Sequence, residues 1–241
     1  MMTLRVLVLN LNNLDFTKQC VSDLLKQDVT DFAITVVDQG STEPGTIEYL
    51  KGLPINIDVI FNSKNEPVNK MWNWFYQNHN EELLCFLNND VRITHNFISD
   101  TIKVFKEEPS VGVVVHATNH PNYQCVRPEL DYVVVPKSNN MQGWDYTIRR
   151  ECFTLIPSEI KTYCGDDFIY HHLYEMGYNM AYVLSSPMIH YEGQSKKSMT
   201  TSGLEDTQKF IELGNKHYLK INQNFSRLKP TFDKFKNERS S

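Results

Sequence analysis

Several short apolar runs in this sequence end in clusters of carboxylate and amide side chains. The clusters are Asn10-Leu11-Asn12-Asn13, Asp38-Gln39-Gly40-Ser41, Asn62-Ser63-Lys64-Asn65 and Asn88-Asn89-Asp90. Such oxygens accept hydrogen bonds from ligands and bind hard divalent cations. Asp90 offers one charged oxygen and Asn88 an amide oxygen, although Asn and Asp after a strand are also ordinary turn formers. The clusters therefore predict either a ligand and metal site or a set of turns.

The phosphate-binding motifs of common nucleotide sites are missing from the sequence. It contains no GxGxxG, no GxxxxGK[ST], no GxSxG and no HExxH. These absences disfavour a dinucleotide cofactor, a P-loop, a nucleophile elbow and a zinc-protease helix. A nucleotide bound here would need another counter-charge for its phosphates, most simply a divalent metal.

Alternation of apolar runs with helical patterns predicts the elements that position these clusters. Predicted strands cover residues 5–9, 33–37, 57–61, 83–87, 111–115, 132–135 and 180–184, and later helices cover about 167–176 and 204–221. This order predicts an α/β fold with a mostly parallel central sheet flanked by helices. Ligands of such sheets bind beyond the carboxyl ends of the strands, which is where the polar clusters fall.

Composition places the chain among globular proteins. It has 241 residues, of which 41% are hydrophobic and 22% charged, which excludes disorder, collagen-like repeats and disulfide miniproteins and favours one domain. The five cysteines are scattered without a CxxC pair, as expected of reduced thiols in the cytoplasm. The first ten residues are too short an apolar run for a signal peptide, and no stretch is long enough to span a bilayer.

The net charge of −5 is unevenly distributed. Residues 209–241 carry eight Lys and Arg against three Asp and Glu, so this tail is +5 and the rest of the chain is −10. A basic tail can attract an anionic partner or a membrane surface, but a solvated helix end gives the same count.

Six motifs occur in an order that resembles glycosyltransferase family 2, the inverting nucleotide-sugar transferases of GT-A fold. They are VLVLNLNN (6–13), ITVVDQGST (34–42), CFLNNDV (85–91), YTIRRECF (146–153), GDDFIYHHLYEMGY (165–178) and MIHYEGQS (188–195). The resemblance implies a single GT-A domain over residues 1–203. It would divide into a Rossmann-like nucleotide-sugar-binding half (1–92) and a variable acceptor and catalytic half (93–203), followed by a C-terminal helix and basic tail (204–241).

The resemblance assigns donor-binding roles to residues at the strand ends. Leu9, Asn10, Asn12 and Asp38 would hold the nucleoside, with Asp38 accepting a hydrogen bond from a uracil-type base, so a UDP-sugar is the favoured donor. An Asx turn is the alternative for Asp38. Asn88, Asn89 and Asp90 occupy the place of the family's DxD motif.

The metal is expected at Asp90 and His190. Asn88 stands where the family has its first Asp, so Asp90 alone would make the ionic contact. His190 resembles the late histidine of the family, and a nitrogen ligand favours Mn²⁺ over Mg²⁺. A buried, hydrogen-bonded histidine is the alternative for His190.

The resemblance makes Asp166 the general base that takes the proton of the acceptor hydroxyl, with Asp167 in reserve. A helix N-terminus there would favour the ionised carboxylate, and an acidic N-cap is the alternative. Trp144 is a candidate for stacking on a sugar ring, or an ordinary core tryptophan. Arg149 or Arg150 would bind phosphate or acceptor, or form surface salt bridges.

The acceptor class is left open by the sequence. A glycan, a protein, a lipid-linked sugar and a modified nucleic-acid base all supply the required hydroxyl group. Two alternatives to a metal-dependent glycosyltransferase also remain. One is a catalytically silent module that binds nucleotide sugars or acts as a scaffold, and the other is a nucleotidyltransferase on a related fold.

Overall fold

The computed structural model describes residues 2–118, 130–135, 142–191 and 199–217. The predicted basic tail beyond residue 217, one of the five cysteines (Cys125), and the end of the MIHYEGQS motif lie outside the described residues.

Nine strands and six α-helices are present in the described part of the chain. The strands are β1 (Leu4–Asn10), β2 (Ala33–Asp38), β3 (Ile57–Phe61), β4 (Leu83–Asn88), β5 (Val91–Arg92), β6 (Val111–Thr118), β7 (Tyr132–Val135), β8 (Asp145–Arg149) and β9 (Asn179–His190). The helices are α1 (Leu14–Leu24), α2 (Thr46–Lys51), α3 (Val68–Asn78), α4 (Phe97–Glu107), α5 (Gly165–Glu175) and α6 (Met199–His217). None of these helices is both long and apolar enough to cross a membrane.

The strands form a mixed sheet in the order β3-β2-β1-β4-β8-β6-β9-β5, with β7 paired to β9. The first four strands of that order are parallel, in agreement with the βαβ pattern of the first half. β8 is antiparallel to both β4 and β6. The parallel first half of the sheet therefore joins a second half in which the strand direction changes.

β8 and the two-residue strand β5 were not predicted as strands. Tyr146, Thr147 and Ile148 of β8 are β-branched or aromatic, a composition that favours a strand. The run is short and follows a Gly-containing loop, so local sequence does not separate it from a turn. Pairing with β4 and β6 on both sides is what stabilises it.

The core lies on both faces of the sheet because side chains of a strand alternate between faces. On one face Val6 and Val8 of β1 pack with α1 and α4, and on the other Leu7 packs with α3 and α5. The four described cysteines are buried free thiols within these clusters (Cys20, Cys85, Cys152 and Cys164). Helix α5 ends as predicted at Gly177, which has a positive φ of 85°.

Candidate active site

The polar strand ends meet at one edge of the sheet. In the parallel register Asn10 lies beside Asp38, and Asn88 lies beside Leu9. Four chain segments that are far apart in sequence therefore present their polar residues to the same cleft, as the parallel-sheet prediction requires.

Asp38 is held by the protein itself. The carboxylate is 1% exposed, and it accepts hydrogen bonds from the backbone N–H groups of Gly40 (3.1 Å) and Ser41 (3.0 Å), from the Ser41 hydroxyl, and from Asn10 Nδ2 (2.7 Å). A carboxylate has about four acceptor positions, and these contacts use them. The geometry is that of the Asx turn, the alternative weighed for this residue, so Asp38 shapes the turn.

The side chains of Asn10 and Asn12 also form hydrogen bonds with other groups of the protein. Asn10 is fully buried, and its Oδ1 accepts hydrogen bonds from the Thr17 hydroxyl and from Asn89 Nδ2 (3.3 Å). Asn12 has a positive φ of 56°, and its Oδ1 accepts from the backbone N–H groups of residues 42 (2.8 Å) and 43 (3.0 Å). These amides fix the shape of the loop that faces the cleft.

Asp90 and His190 come together although 100 positions separate them. Strand β5 begins at Val91 and pairs with His190 of β9. The same pairing brings the backbone N–H of Tyr191 to the carbonyl of Asp90 at 2.9 Å. His190 Nε2 consequently lies 3.4 Å from Asp90 Oδ1.

The Asp90 carboxylate fits a cation. The residue is 9% exposed, and its Oδ1 is buried without a hydrogen-bond partner among the described residues. A buried carboxylate oxygen left in this state is costly unless a cation or donor pairs with it. No group of three His, Cys, Asp or Glu gathers within the described residues, where Asp90 and His190 provide one carboxylate and one imidazole. A divalent cation held by these two side chains would need further oxygen ligands.

Asn88 and Asn89 play different roles. The backbone N–H of Asn88 donates to the carbonyl of Trp144 at 3.0 Å, and its side chain is partly exposed at the cleft. The Asn89 side chain turns inward and donates to Thr17 Oγ1 (3.0 Å) and to Asn10. Asn89 therefore braces the end of β1, whereas Asn88 remains near a prospective diphosphate.

Asp166 and Asp167 lie in the first turn of α5, one and two residues after its start at Gly165. The N-cap is Cys164, with a positive φ of 61°, so neither aspartate is the N-cap. Desolvation raises the pKa of Asp166, although the backbone N–H groups of Asp166 and Asp167 hydrogen-bond it and act in the opposite direction. The pKa of Asp166 is therefore raised on balance, although the backbone N–H groups of the helix terminus favour the ionised form. A base with a raised pKa binds its proton more strongly, as general-base catalysis near neutral pH requires.

Two buried tyrosines interact electrostatically with Asp166. Tyr146 and Tyr170 are fully buried, and their ring centroids are 6.1 Å apart. Burial raises the pKa of both hydroxyls well above the ordinary value, so they stay neutral. The charge of Asp166 also raises the pKa of both hydroxyls. Their rings contribute to the desolvation of the Asp166 carboxyl.

The dipeptide Gly143-Trp144 connects the two sides of the site. A Cβ atom on Gly143 would lie 2.9 Å from Asp166 Oδ2, so the backbone passes directly against this carboxylate. The Trp144 ring stacks on the imidazole of His190 with centroids 4.9 Å apart. Asp166 and the Asp90–His190 pair therefore flank one segment of the chain.

A buried contact between a histidine and an aspartate anchors this segment. Asp145, the next residue, accepts hydrogen bonds at Oδ2 from the backbone N–H of His116 (2.9 Å) and from its Nδ1 (3.0 Å), and neither side chain is exposed. Gln142 Nε2 donates to the His116 carbonyl at 3.1 Å. His116 on β6 thus holds both ends of the segment, a role that no motif in the sequence indicated.

Arg149 and Arg150 are not in the site, which corrects the sequence prediction. β8 runs antiparallel to β4, so its end lies beside Leu83 at the amino edge of the parallel strands. Arg149 donates to the carbonyls of Val111 and Phe105, both at 2.8 Å. Arg150 donates to the His79 carbonyl and packs over the ring of Tyr76 at 4.3 Å. Both arginines therefore join structural elements far from the cleft.

Comparison with known proteins agrees with this architecture. The family model for glycosyl transferase family 2 matches residues 6–172. No curated protein sequence matches the chain. Similar solved structures include S. aureus TarS 1–349, with a TM-score of 0.62 and 16% identity over 93% of this chain and 74% of that one.

Two further similar structures have bound ligands. GalNAc-T7 with UDP, GalNAc and Mn²⁺ has a TM-score of 0.64 and 14% identity over 85% of this chain and 49% of its own. The mannosyltransferase PcManGT from Pyrobaculum calidifontis, in complex with GDP-Man and Mn²⁺, has a TM-score of 0.66 and 15% identity over 87% of this chain and 64% of its own. The chain spans less than two thirds of these two structures. On the strength of the family match and these folds, the chain belongs to glycosyltransferase family 2 and adopts the GT-A fold.

Proposed function

We propose that this protein is a metal-dependent inverting glycosyltransferase that moves a sugar from a nucleoside-diphosphate sugar to a hydroxyl acceptor. Asp166 acts as the general base, and Asp90 with His190 holds the metal at the donor diphosphate. The observation that carries this proposal is the Gly143-Trp144 segment, which contacts Asp166 on one side and His190 on the other.

Asp90 and His190 bind the donor's metal in this proposal. The support for it is the buried Oδ1 of Asp90, which accepts no hydrogen bond among the described residues and has the His190 imidazole 3.4 Å away. A divalent cation bound there supplies positive charge against the negative charge that grows on the leaving diphosphate. Because one protein ligand is an imidazole nitrogen, Mn²⁺ is preferred over Mg²⁺.

Asp166 removes the proton from the attacking hydroxyl. Its pKa is raised by desolvation, so it accepts the proton more readily than an ordinary surface carboxylate. One displacement by the activated oxygen, on the face opposite the leaving diphosphate, inverts the configuration at the anomeric carbon. Positioning of the two substrates supplies much of the remaining rate enhancement.

The favoured donor is a UDP-sugar, with a GDP-sugar as the alternative within the same class. Leu9, Asn12 and the Asp38 turn line the strand ends where a nucleoside binds in folds of this type. GalNAc-T7 is described with UDP and PcManGT with GDP-Man, and both are described with Mn²⁺. Hexose and pentose donors both fit the proposal, as do glycan, protein, lipid-linked sugar and modified nucleic-acid base acceptors. The buried free thiols fit a reducing compartment such as the cytoplasm.

A catalytically silent nucleotide-sugar-binding module is the second candidate, and Asn88 is the observation that favours it. An amide at this position removes one negative charge from the metal site. Such a module would bind the donor and the metal but would not break the bond between the sugar and the diphosphate.

The test is a panel of UDP- and GDP-sugars offered to the full chain with Mn²⁺, with Mg²⁺ and with a chelator. Binding is followed by thermal shift, and release of nucleoside diphosphate is followed with and without pooled acceptors. Metal-dependent release of diphosphate supports the enzyme. Binding of a donor without release or transfer would instead establish the silent module. Release of pyrophosphate from a nucleoside triphosphate and a sugar phosphate would indicate nucleotidyl transfer.

A further inference from the structure

We propose that Asp206 of helix α6 is a positioning residue for Asp166. Asp206 lies beyond residue 172, where the family match ends, so the family motifs assign it no role. The proposal rests on the proposed function, since it concerns how the general base is held. It makes α6 part of the transfer machinery and not only a cover for the core.

The Asp206 carboxylate binds three consecutive backbone N–H groups. Oδ1 accepts from Lys161 (2.9 Å), and Oδ2 accepts from Thr162 (2.7 Å) and Tyr163 (2.8 Å). Successive N–H groups that converge in this way form a concave anion site, and Asp206, which is 2% exposed, fills it. Hydrogen bonds to an ionised acceptor are about twice as strong as neutral ones.

The same loop is held from the opposite side by α3. Asn69 donates through Nδ2 to the carbonyls of Ile160 (3.1 Å) and Tyr163 (3.3 Å), and its own N–H donates to the carbonyl of Lys161 (3.0 Å). Asn69 thus binds carbonyl groups of the loop while Asp206 binds its amides. Residues 160–163 are clamped between two helices that are distant in sequence.

The clamp acts directly on the start of α5. Residue 163 is followed by Cys164, whose φ of 61° is an uncommon conformation for a residue with a side chain. Such a conformation persists only where the surrounding structure holds it. Cys164 Sγ also lies 3.7 Å from Thr207 Oγ1, the residue after Asp206. Asp166 follows two residues later, so a loop freed from Asp206 changes where the first turn of α5, and its carboxylate, points.

The experiment compares Asp206→Ala and Asp206→Asn with Glu205→Gln, an exposed carboxylate at the preceding position of the same helix. Displacement of a reacting group by about 1 Å can cost about 100-fold, so we expect kcat for transfer to fall by about that factor in Asp206→Ala. The dissociation constant of the donor nucleotide should not change. The acid limb of the pH–rate profile should move to lower pH, because a displaced Asp166 is better solvated.

A merely structural role gives a different pattern. It would reduce the folded fraction while kcat per folded molecule and the pH profile stay those of the wild type, and this result overturns the proposal. Asp206→Asn keeps one acceptor oxygen, and it takes the place of Asp206→Ala in these measurements if the alanine variant does not fold.

Amide hydrogen exchange provides the readout that is independent of activity. Exchange at residues 161–167 should rise in the Asp206 variants and remain unchanged in Glu205→Gln, and unchanged exchange there refutes the clamp. If the wild-type chain transfers no sugar from any donor, the proposed function fails, while the exchange measurement still decides whether Asp206 holds the start of α5.

Discussion

The indole of Trp144 lies flat against the imidazole of His190, with centroids 4.9 Å apart and ring planes 10° from parallel. The neighbouring Gly143 abuts Asp166. One dipeptide therefore sets the separation between the side of the cleft that would hold the diphosphate and the side that would hold the acceptor. Trp144 was a candidate for stacking on a sugar, and the structure shows that its ring already stacks on His190.

Replacing Asp166 with Asn should abolish transfer and leave donor affinity nearly unchanged. The amide cannot take the hydroxyl proton, and loss of a general base typically costs about 10²–10⁴-fold. Steady-state transfer kinetics together with calorimetric donor binding test this. Asp167→Asn is the matched control on the same helical turn and should retain more activity. A large loss of donor binding in Asp166→Asn would show that the base is misassigned.

Replacing Gly143 with Ala should impair transfer while the donor still binds. The added methyl group would lie 2.9 Å from Asp166 Oδ2, closer than real contacts allow, so the carboxylate must move. A loss of about 100-fold in kcat is the scale expected for a displaced reacting group. Gly52→Ala is the control, because a methyl group there meets only atoms at 3.4 Å. Wild-type kcat in Gly143→Ala would contradict the contact.

Replacing Asp90 with Ala should remove the metal dependence of donor binding. Asp90 is the only carboxylate of the Asn88-Asn89-Asp90 triplet, so the variant keeps no charged ligand there. Titration of UDP and GDP with and without Mn²⁺ measures the effect. Asp15→Ala, at an exposed position in α1, should respond to Mn²⁺ like the wild type. An unaltered Mn²⁺ response in Asp90→Ala would exclude it as a ligand.

Replacing Asp167 with Asn should stabilise the fold at alkaline pH. Desolvation and the charge of Asp166 raise the pKa of Asp167 to about 8. A folded-state pKa above the unfolded value gives stability that is fully present below about pH 4 and is lost as the pH rises through the folded value. The amide carries no such penalty, so its melting temperature relative to wild type should increase from pH 5 to pH 9. Thermal unfolding at pH 5 and at pH 9 checks this. An equal difference in melting temperature at the two pH values would contradict the raised pKa of Asp167.

Replacing Arg149 with Met should destabilise the protein without changing transfer by the folded enzyme. Two backbone carbonyls lose their donor, which costs about 1–3 kcal/mol when a buried partner is left unpaired. Urea unfolding gives the stability, and kcat/KM for acceptor gives the functional comparison. Lys51→Met, at an exposed position of α2, should leave both unchanged. If Arg149→Met bound acceptor more weakly and were as stable as the wild type, Arg149 would instead belong to the acceptor site.

The parallel half of the fold could be predicted because its signal is local. Buried strands such as β1 and β4 read as continuous apolar runs, and the helices between them show 3.6-residue periodicity. β8 was missed, since its identity depends on the strands at its two sides. That omission also explains the error at Arg149, whose position follows from the direction of β8.

The residues of the site also differ in whether the sequence could predict them. Asp90, His190 and Asp166 carry motifs that resemblance could identify, and in the structure the Gly143-Trp144 segment contacts both Asp166 and His190. Asp38 has the same motif support, yet its carboxylate already accepts hydrogen bonds from its own turn and from Asn10, which no motif indicates. His116 and Asp206 act through long-range hydrogen bonds that leave no pattern in the sequence around them.

The position of β8 between β4 and β6 has a consequence for biosynthesis. The β4 edge that β8 covers stays unpaired on the ribosome until residues 145–149 emerge, about sixty residues after β4 itself. That edge belongs to the apolar strand LLCFLN, and exposed apolar edges recruit other chains. Through this interval of translation the uncovered β4 edge is therefore open to pairing with another strand.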